Sequence, residues 1–461
     1  MANGYAPAEA SEAPKVRFSE LCLAAEGKKA MQEAFKYEFL TEIQQKTYES
    51  IRGGAEVVAR AKTGSGKTLS FLLPCLDRLH SQPVVPGELA LLVLTPVREL
   101  SMQVAAEAEK LTKYYSSCSM VCMTGGVPWE EDLESLTAAK GTVILVATPG
   151  RLQSHAAKTE GFVDRLSKVQ ILVLDEVDQL ASDVFRQATL DIVKTLPAAS
   201  HRQSLFYSAT MGDAVTNLVS QIGKPDHMYV DVIHSDDALV PEHICQTYAV
   251  LPTERMTECL WASLTLAAAE VDSKVVVIFM TGRIAAYYAE AFRKSGTDLP
   301  VFEIHARRKQ NQRTEESERF RGAASGVLFT SDVSARGLDY PGVTHVIQMG
   351  AAHSKEEYVH RLGRTGRAGR EGQGLLLLHD FEQGFLADVA DLGLIEAPVP
   401  TTKEGRRCST RLPLTKICQI CTRDARLCQH AHRQERQGSS LLLSDQPCNA
   451  QLEPQQAGNH A

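Results

Sequence analysis

Two α/β domains in tandem, each a parallel sheet covered by helices on both faces, are what this chain predicts. Three observations carry the prediction. Short continuous apolar runs alternate with helix-like segments, which is how strands buried on both faces of a parallel sheet read. The runs end repeatedly in polar or glycine-rich residues, and open α/β sheets bind ligands at that edge. The alternation occurs twice, and a strand-poor stretch from Asp226 to Thr253 separates the two passes. The divisions read as a disordered N-terminus over 1–17, a first domain over 18–230, a linker over 231–253, a second domain over 254–400, and a basic, cysteine-containing tail over 401–461, also read as disordered.

With 461 residues, 44% of them hydrophobic, the chain can bury two cores. Its formal net charge of -7 excludes a protein that is basic all over, so nucleic-acid contact requires a local groove. No apolar run approaches the roughly 20 residues that span a bilayer. Glu9 and Glu12 and the lack of an apolar segment argue against a secretory signal and count against a transit peptide. Cys22, Cys75, Cys118, Cys122, Cys245 and Cys259 are scattered through apparent core, as reduced thiols in an intracellular protein would be. The expectation is a soluble monomer with no membrane association.

Phe18 to Ser50 has apolar residues at helical spacing and leads to LeuThrGluIleGlnGln, Leu40 to Gln45. Gln44 admits two readings: part of an ordinary helix start capped by Thr41, or an amide that donates to and accepts from one adenine edge, with Tyr37 or Phe39 stacked on the ring. The apolar run Ala55 to Ala59 then meets AlaLysThrGlySerGlyLysThr, Ala61 to Thr68, followed by a helix-compatible run from Leu69 to Leu79. Strand, loop and helix in that order make a phosphate cradle. Gly64 and Gly66 allow successive N–H groups to point inward, Lys67 adds a charge for the β/γ-phosphates, and the Thr68 hydroxyl suits Mg²⁺. Ala61 stands where the general template has its first glycine, so the loop alone also fits a plain turn.

Further strands are predicted at Ala90–Leu94, Val143–Ala147, Ile171–Leu174 and Ser204–Tyr207. They run into ThrProValArgGluLeu, ThrProGlyArgLeu, AspGluValAsp and SerAlaThr respectively. Asp175 at a buried strand end beside a phosphate loop can hold Mg²⁺, and Glu176 can orient or deprotonate the attacking water. In the second half, strands are predicted at Val275–Met280, Val301–Ile304, Val327–Phe329, His345–Met349 and Leu375–Leu378, the last closing the sheet. Helices are predicted at Ile284–Lys294, Gln310–Arg321 and Lys355–Leu362. This half has no phosphate loop, but HisArgLeuGlyArgThrGlyArg, His360 to Arg367, sets Arg364 and Arg367 three residues apart in a glycine-rich turn, suited to reaching a γ-phosphate across an interface.

Taken together, and in this order, these motifs resemble the DEAD-box RNA helicases of superfamily two over roughly Phe18 to Pro400. Gly125–Gly126, the Gln310/Arg313 pair and the run Thr330–Asp339 belong to the same set. The resemblance implies two tandem RecA-like domains that clamp ATP and single-stranded RNA in their cleft. It implies that Gln44 reads adenine with Tyr37 in the aromatic position, and that Ala61, Lys62, Thr63, Gly64, Ser65, Gly66, Lys67 and Thr68 hold the phosphates. Asp175 becomes the Mg²⁺ ligand with Thr68, and Glu176 the base. Asp339 contacts ribose, Arg364 and Arg367 are arginine fingers, and Asp178, Ser208 and Thr210 couple hydrolysis to strand separation. RNA backbone contacts fall on Pro96, Arg98, Gly126, Thr148, Pro149, Gly150, Arg151, Thr330 and Ser331, so recognition is expected to tolerate sequence.

Three positions depart from the family pattern: Val177 within the acidic box, Val97 for a usual threonine, and Lys36 for a usual glycine. The departures at Val97 and Lys36 bear on RNA affinity rather than on ATP hydrolysis. A narrower likeness, in Ser331–Thr344 and Gly374–Leu386, is to the organellar splicing-associated group, RNA chaperones of mitochondria or plastids. Cytoplasm and nucleus stay open as addresses.

In the tail, Cys418 and Cys421 with Cys428, His430 and His432 admit a zinc site or a flexible basic segment with reduced thiols. Two functions follow from the whole: an ATP-dependent helicase that unwinds RNA locally, or a slowly hydrolysing ATP-gated RNA clamp that needs a protein activator.

Overall fold

The computed structural model describes residues 16–397, apart from 63, 84, 234–238, 242, 271, 296–298, 333–339 and 367–369. The tail with its cysteines, and all but two residues of the N-terminal stretch 1–17, lie outside the described residues.

The described residues form two seven-stranded sheets. In the first, β1 (Val57–Arg60), β2 (Leu89–Leu94), β3 (Cys118–Met123), β4 (Thr142–Ala147), β5 (Ile171–Asp175), β6 (Gln203–Ser208) and β7 (Met228–Asp231) lie in the order β3-β4-β2-β5-β6-β1-β7. In the second, β8 (Ile244–Leu251), β9 (Lys274–Phe279), β10 (Val301–Ile304), β11 (Gly326–Ser331), β12 (His345–Met349), β13 (Gly372–His379) and β14 (Ile395–Glu396) lie in the order β10-β11-β9-β12-β13-β8-β14. Subtracting seven from each label of the second gives the order of the first. Every paired strand in both sheets is parallel. These are the parallel sheets that unbroken apolar runs predict.

Alternate residues of each buried strand sort to opposite faces, because the side-chain period is two. Leu91 and Val93 join one core with Val57, Ala59, Ile171 and Val173, whereas Leu92 and Leu94 join another with Val58, Leu172 and Leu174. The second sheet divides the same way, with Val275 and Val277 on one face and Val276 and Ile278 on the other. Helices cover all four faces. Those that reach the site are α1 (Glu42–Arg52), α2 (Lys67–His80), α3 (Arg98–Thr112), α4 (Trp129–Ala138), α5 (Pro149–Lys158), α6 (Val177–Leu180), α7 (Gln310–Gly322) and α8 (Lys355–Leu362).

Two expectations are corrected. The stretch 226–253, read as strand-poor, contains β7 and β8, and β8 takes up most of the end of the expected linker. Its residues alternate buried and partly exposed beside polar neighbours, a weaker pattern than the all-buried strands. Leu375–Leu378 does not close the second sheet either: β13 is interior, with β8 and β14 beyond it. The strand β3 was missed because Cys, Ser and Met are poor strand signals, and as an edge strand it is buried only in part.

Candidate active site

The first sheet brings its loops together at one edge. The loop after β1 opens with the Ala61 N–H donating to the Ser208 carbonyl at 3.0 Å, so it starts locked to the end of β6. Gly64 and Gly66 take φ of 80° and 89°, the left-handed region, and Gly66 is the N-cap of α2. A Cβ at Gly66 would stand 2.6 Å from Gln44 Nε2, so this turn has no room for one. Ser65 Oγ donates to the Lys62 carbonyl at 2.8 Å. Lys67 and Thr68 open the helix, where the first N–H groups lack partners and the dipole favours an anion. Thr63 lies outside the described residues.

Across from this loop, β5 ends in Asp175, and Glu176 follows with φ 53° and ψ 56°. A left-handed glutamate costs on the order of 1–2 kcal/mol, and such strain persists where the surroundings fix it. Here Lys67 Nζ sits 3.3 Å from Glu176 Oε1, both groups buried. Burial raises the Glu176 carboxyl, but the charges of Lys67, His360 and Arg364 more than offset it and leave it below its ordinary range. Asp175 moves the other way, pushed up by burial and by the neighbouring Glu176 charge. Two adjacent carboxyls are thereby driven apart, as groups with different tasks often are. Val177 is fully buried in the core beneath, so its bulk faces away from the cleft.

Gln44 bears out the first of its readings, as part of the helix start at Thr41. Its Oε1 accepts from the Thr41 N–H at 3.0 Å as part of a capping box, and its Nε2 donates to the Gly66 carbonyl at 3.1 Å. The amide therefore ties the start of α1 to the phosphate loop. Tyr37 is 54% exposed and lines a cavity of about 350 Å³ together with Phe35, Phe39, Gln44, Lys67, Thr68, Asp175, Glu176 and Arg364. Leu100, Gln103, Glu107 and Lys110 of α3 line it too and were missed by sequence reasoning. Their spacing of three, four and three places them on one helix face, which is the signal that would have found them.

The second sheet supplies the opposite wall. Arg364, 2% exposed, follows α8, and its Nε donates to the His360 carbonyl at 3.2 Å. His360 Nε2 reaches to 3.6 Å from Asp178 Oδ2 in the first lobe. On the far side of the cleft Arg313 pairs with Glu99, each side chain 5% exposed, and Arg98 Nη1 donates to Gln310 Oε1 at 3.3 Å. The Gln310/Arg313 pair thus acts across the lobes. Of the expected coupling set, Ser208 Oγ accepts from the Thr210 N–H at 3.3 Å, while Asp178 turns to His360 instead. Asp339 and Arg367 lie outside the described residues.

Among the residues expected to meet RNA, Gly126 and Gly150 are exposed, Arg98 and Arg151 are partly buried, and Pro96, Thr148 and Pro149 are buried at strand ends. Thr330 and Ser331 do not come to the surface. Both belong to β11, which lies between β10 and β9, and the Thr330 hydroxyl donates to the Ser331 carbonyl at 3.1 Å.

The comparisons with known proteins agree with this arrangement. The DEAD/DEAH box helicase family model matches residues 41–218, and that of the helicase conserved C-terminal domain matches residues 257–369. DEAD-box ATP-dependent RNA helicase 26 of Oryza sativa subsp. japonica is 40% identical over 392 residues, which are 85% of this chain and 72% of the relative. The chain belongs to the DEAD-box RNA helicase family. As a DEAD-box helicase it uses ATP, and it is an RNA-dependent ATPase that remodels RNA. This helicase is also similar to the mitochondrial ATP-dependent RNA helicase mss116 of Aspergillus oryzae, at 35% identity over 359 residues, 76% of this chain and 56% of the relative. A solved structure of Mss116p bound to ssRNA and AMP-PNP matches with a TM-score of 0.76 at 26% identity, covering 90% of this chain and 88% of that one. The match is to two tandem RecA-like domains. No helix among the described residues is long and apolar enough to cross a membrane.

Proposed function

We propose that the cavity between the lobes is where this helicase binds and hydrolyses ATP, and that closure of the lobes on ATP presses one RNA strand into a shape that cannot pair. The observation that supports this most is the convergence of Lys67, Asp175, Glu176 and Arg364, from both lobes, on one cavity. In this reading the loop from Ala61 to Thr68, Thr63 included, cradles the phosphates, and Gln44 and Tyr37 take the adenine. Asp339 meets the ribose, and Arg364 and Arg367 stabilise charge on the γ-phosphate as it leaves.

The residues present fit Mg²⁺. Thr68 and Asp175 offer the hard oxygen donors it takes, and the nearby Glu176 Oε2 is buried without a hydrogen-bond partner. When bound, the ion neutralises charge on the β- and γ-phosphates. Glu176 accepts the proton of the attacking water: its lowered pKa keeps it ionised, and Lys67 holds it in place. Asp178 with His360, and Ser208 with Thr210, carry the state of the nucleotide to the lobe contacts. The RNA path runs over Pro96, Arg98, Gly126, Thr148, Pro149, Gly150 and Arg151, and on the second lobe past Thr330 and Ser331 after rearrangement. These are backbone contacts, so single-stranded RNA is bound with little regard to sequence. The similarity to a mitochondrial relative makes an organelle the proposed address.

The test is steady-state ATP hydrolysis with and without single-stranded RNA, DNA as control, for wild type and Glu176→Gln. RNA-stimulated turnover that falls at least about 100-fold in the variant, with ATP and RNA still bound, is the expected result. Tight ATP-dependent RNA binding without turnover in the wild type would instead mark an ATP-gated clamp that awaits a protein activator. Equal stimulation by DNA would overturn the RNA path.

A further inference from the structure

Arg151 of α5 is held more firmly than a surface phosphate contact needs to be. Its side chain is 12% exposed. Nε donates to Asp132 Oδ2 at 2.6 Å, and Nη2 donates to the carbonyls of Val127 at 2.9 Å and Pro128 at 3.3 Å. Its guanidinium carbon lies 5.0 Å from the ring centre of Trp129. The same Asp132 oxygen is 2.9 Å from Nε2 of His155, which is wholly buried. The His155 ring stacks on Trp129, with centroids 3.8 Å apart and planes 20° apart, and its Nδ1 is 3.0 Å from Thr159 Oγ1. One indole and one carboxylate thus hold a single guanidinium, and one imidazole backs both of them.

The position of this group matters. Val127 and Pro128 continue the turn that begins with Gly125 and Gly126, and Arg151 lies three residues after Thr148, at the start of α5. The guanidinium therefore joins the two pieces of backbone assigned above to the RNA path. Of its five N–H donors, Nε and the two on Nη2 serve these internal bonds, which leaves the pair on Nη1. A free arginine loses about 2 kcal/mol of rotamer entropy when fixed, and an arginine already fixed by its neighbours avoids most of that loss on binding.

We propose that Trp129, Asp132 and His155 form a socket that presets Arg151 for an RNA phosphate and locks the Gly125–Pro128 turn to α5. Trp129 and Asp132 are then positioning residues for RNA binding. The proposal rests on the assignment of Arg151 to the RNA path. The Trp129 ring packs against the guanidinium and Asp132 fixes its Nε, so removing either loosens the group without removing its charge.

The experiment measures half-saturating RNA and the salt dependence of single-stranded RNA binding, with a non-hydrolysable ATP analogue, for Arg151→Gln, Trp129→Ala, Trp129→Phe and Asp132→Asn. It also includes the double variant Trp129→Ala/Arg151→Gln. Arg151→Gln should weaken binding about tenfold and lower the slope of log K against log salt by about 0.7. Trp129→Ala should reproduce most of both effects, and in a parallel hydrolysis assay with ATP it should raise half-saturating RNA rather than lower kcat. The double variant should be no weaker than Arg151→Gln alone, because the two residues act as one. Trp129→Phe, which keeps a ring, should restore binding, and Asp132→Asn carries the test should the alanine variant fold poorly. Multiplying effects in the double variant, or an unchanged salt slope in Trp129→Ala and Asp132→Asn, overturn the socket. A wild type whose turnover ignores RNA removes the underlying assignment instead, so the two failures are distinguishable.

Discussion

The two lobes share one strand order yet divide the chemistry unequally, and the difference sits entirely in the loops. Six residues, 61 to 66, separate the end of β1 from α2, which begins at Lys67. At the matching end of β8 only Pro252 intervenes before the next helix starts at Thr253. Likewise β5 ends in Asp175 and runs into Glu176, whereas its counterpart β12 runs into Gly350 and Ala351. A parallel sheet with the same topology thus carries the proposed nucleotide cradle in one place and a plain scaffold in the other. What the second lobe contributes to the contacts is largely cationic: Arg313 on one side of the cleft, and Arg364 beside His360 on the other. In the proposed function one lobe holds the anion, and the other closes on it.

The sharpest way to break that division is at the buried pair between Glu99 and Arg313. If the lobes cooperate, Glu99→Gln leaves an uncompensated guanidinium in the closed state at a cost of about 3 kcal/mol. RNA affinity in the presence of an ATP analogue should then fall about 100-fold, with nucleotide binding to the first lobe much less affected. Lobes that acted independently would show no such loss in a filter-binding or anisotropy titration.

The second lobe also holds a buried carboxylate whose partners bear on stability. Glu303 on β10 accepts from Arg293 Nη1 at 2.7 Å, Arg308 Nη1 at 2.9 Å and His305 Nε2 at 2.6 Å. Burial raises its pKa, but the hydrogen bonds from His305 and Arg293 and the charge of Arg308 outweigh this and hold it down at about 2, from a usual 4.5. A folded pKa below the unfolded one adds stability above pH 4.5 that is lost as the pH falls toward 2. Glu303→Gln should therefore destabilise the chain by about 2 kcal/mol at neutral pH, and the gap to wild type should close over that window. A pH-independent gap in urea melts would mean that packing, not charge, accounts for the effect.

How far the sequence could be read follows the same line between sheet and loop. The all-apolar strands, from Leu91 to Leu94 or Val275 to Phe279, were legible because a strand buried on both faces has no polar residue to blur it. The edge strand β3 and the half-buried β8 were not, since their polar positions are the ones that meet solvent or cover. In the site, Asp175, Glu176 and Lys67 announced themselves by residue type and spacing. The Glu99–Arg313 and Asp178–His360 contacts, which join residues far apart in the chain, had no local signal. Arg151 was read as a contact made at the surface, and nothing in its motif reveals Trp129 and Asp132 around it.

Lys36 shows how a motif departure changes meaning once its backbone is known. It caps the short helical turn Met31–Phe35 with φ 56° and ψ 35°, and the Tyr37 N–H behind it donates to the Met31 carbonyl at 3.1 Å. That left-handed cap is where glycine is cheapest, so the usual glycine answers a backbone need beside the end of the cavity that Tyr37 lines. Lys36→Gly should raise stability by about 0.5–1 kcal/mol and leave RNA affinity as it was. Tighter RNA binding in the variant, with no change in melting, would return Lys36 to the RNA path.

Val97 makes the smallest and most discriminating case. It is the N-cap of α3, with φ −127°, ψ 150° and no side-chain cap hydrogen bond. Valine is among the poorest residues there, and threonine can accept from the N–H of the second or third helical residue. The usual threonine of this motif therefore has two possible reasons to exist, capping α3 or touching RNA, and they leave different marks. If the hydroxyl is a cap, Val97→Thr adds about 0.5–1 kcal/mol, which raises the melting temperature by a degree or more, with the RNA titration unmoved. If it meets RNA, the titration tightens and the melting curve stays where it is. Because α3 carries Arg98, Glu99 and the face that lines the proposed nucleotide cavity, the cap reading predicts one further effect: the stabilised variant should bind an ATP analogue at least as well as the wild type.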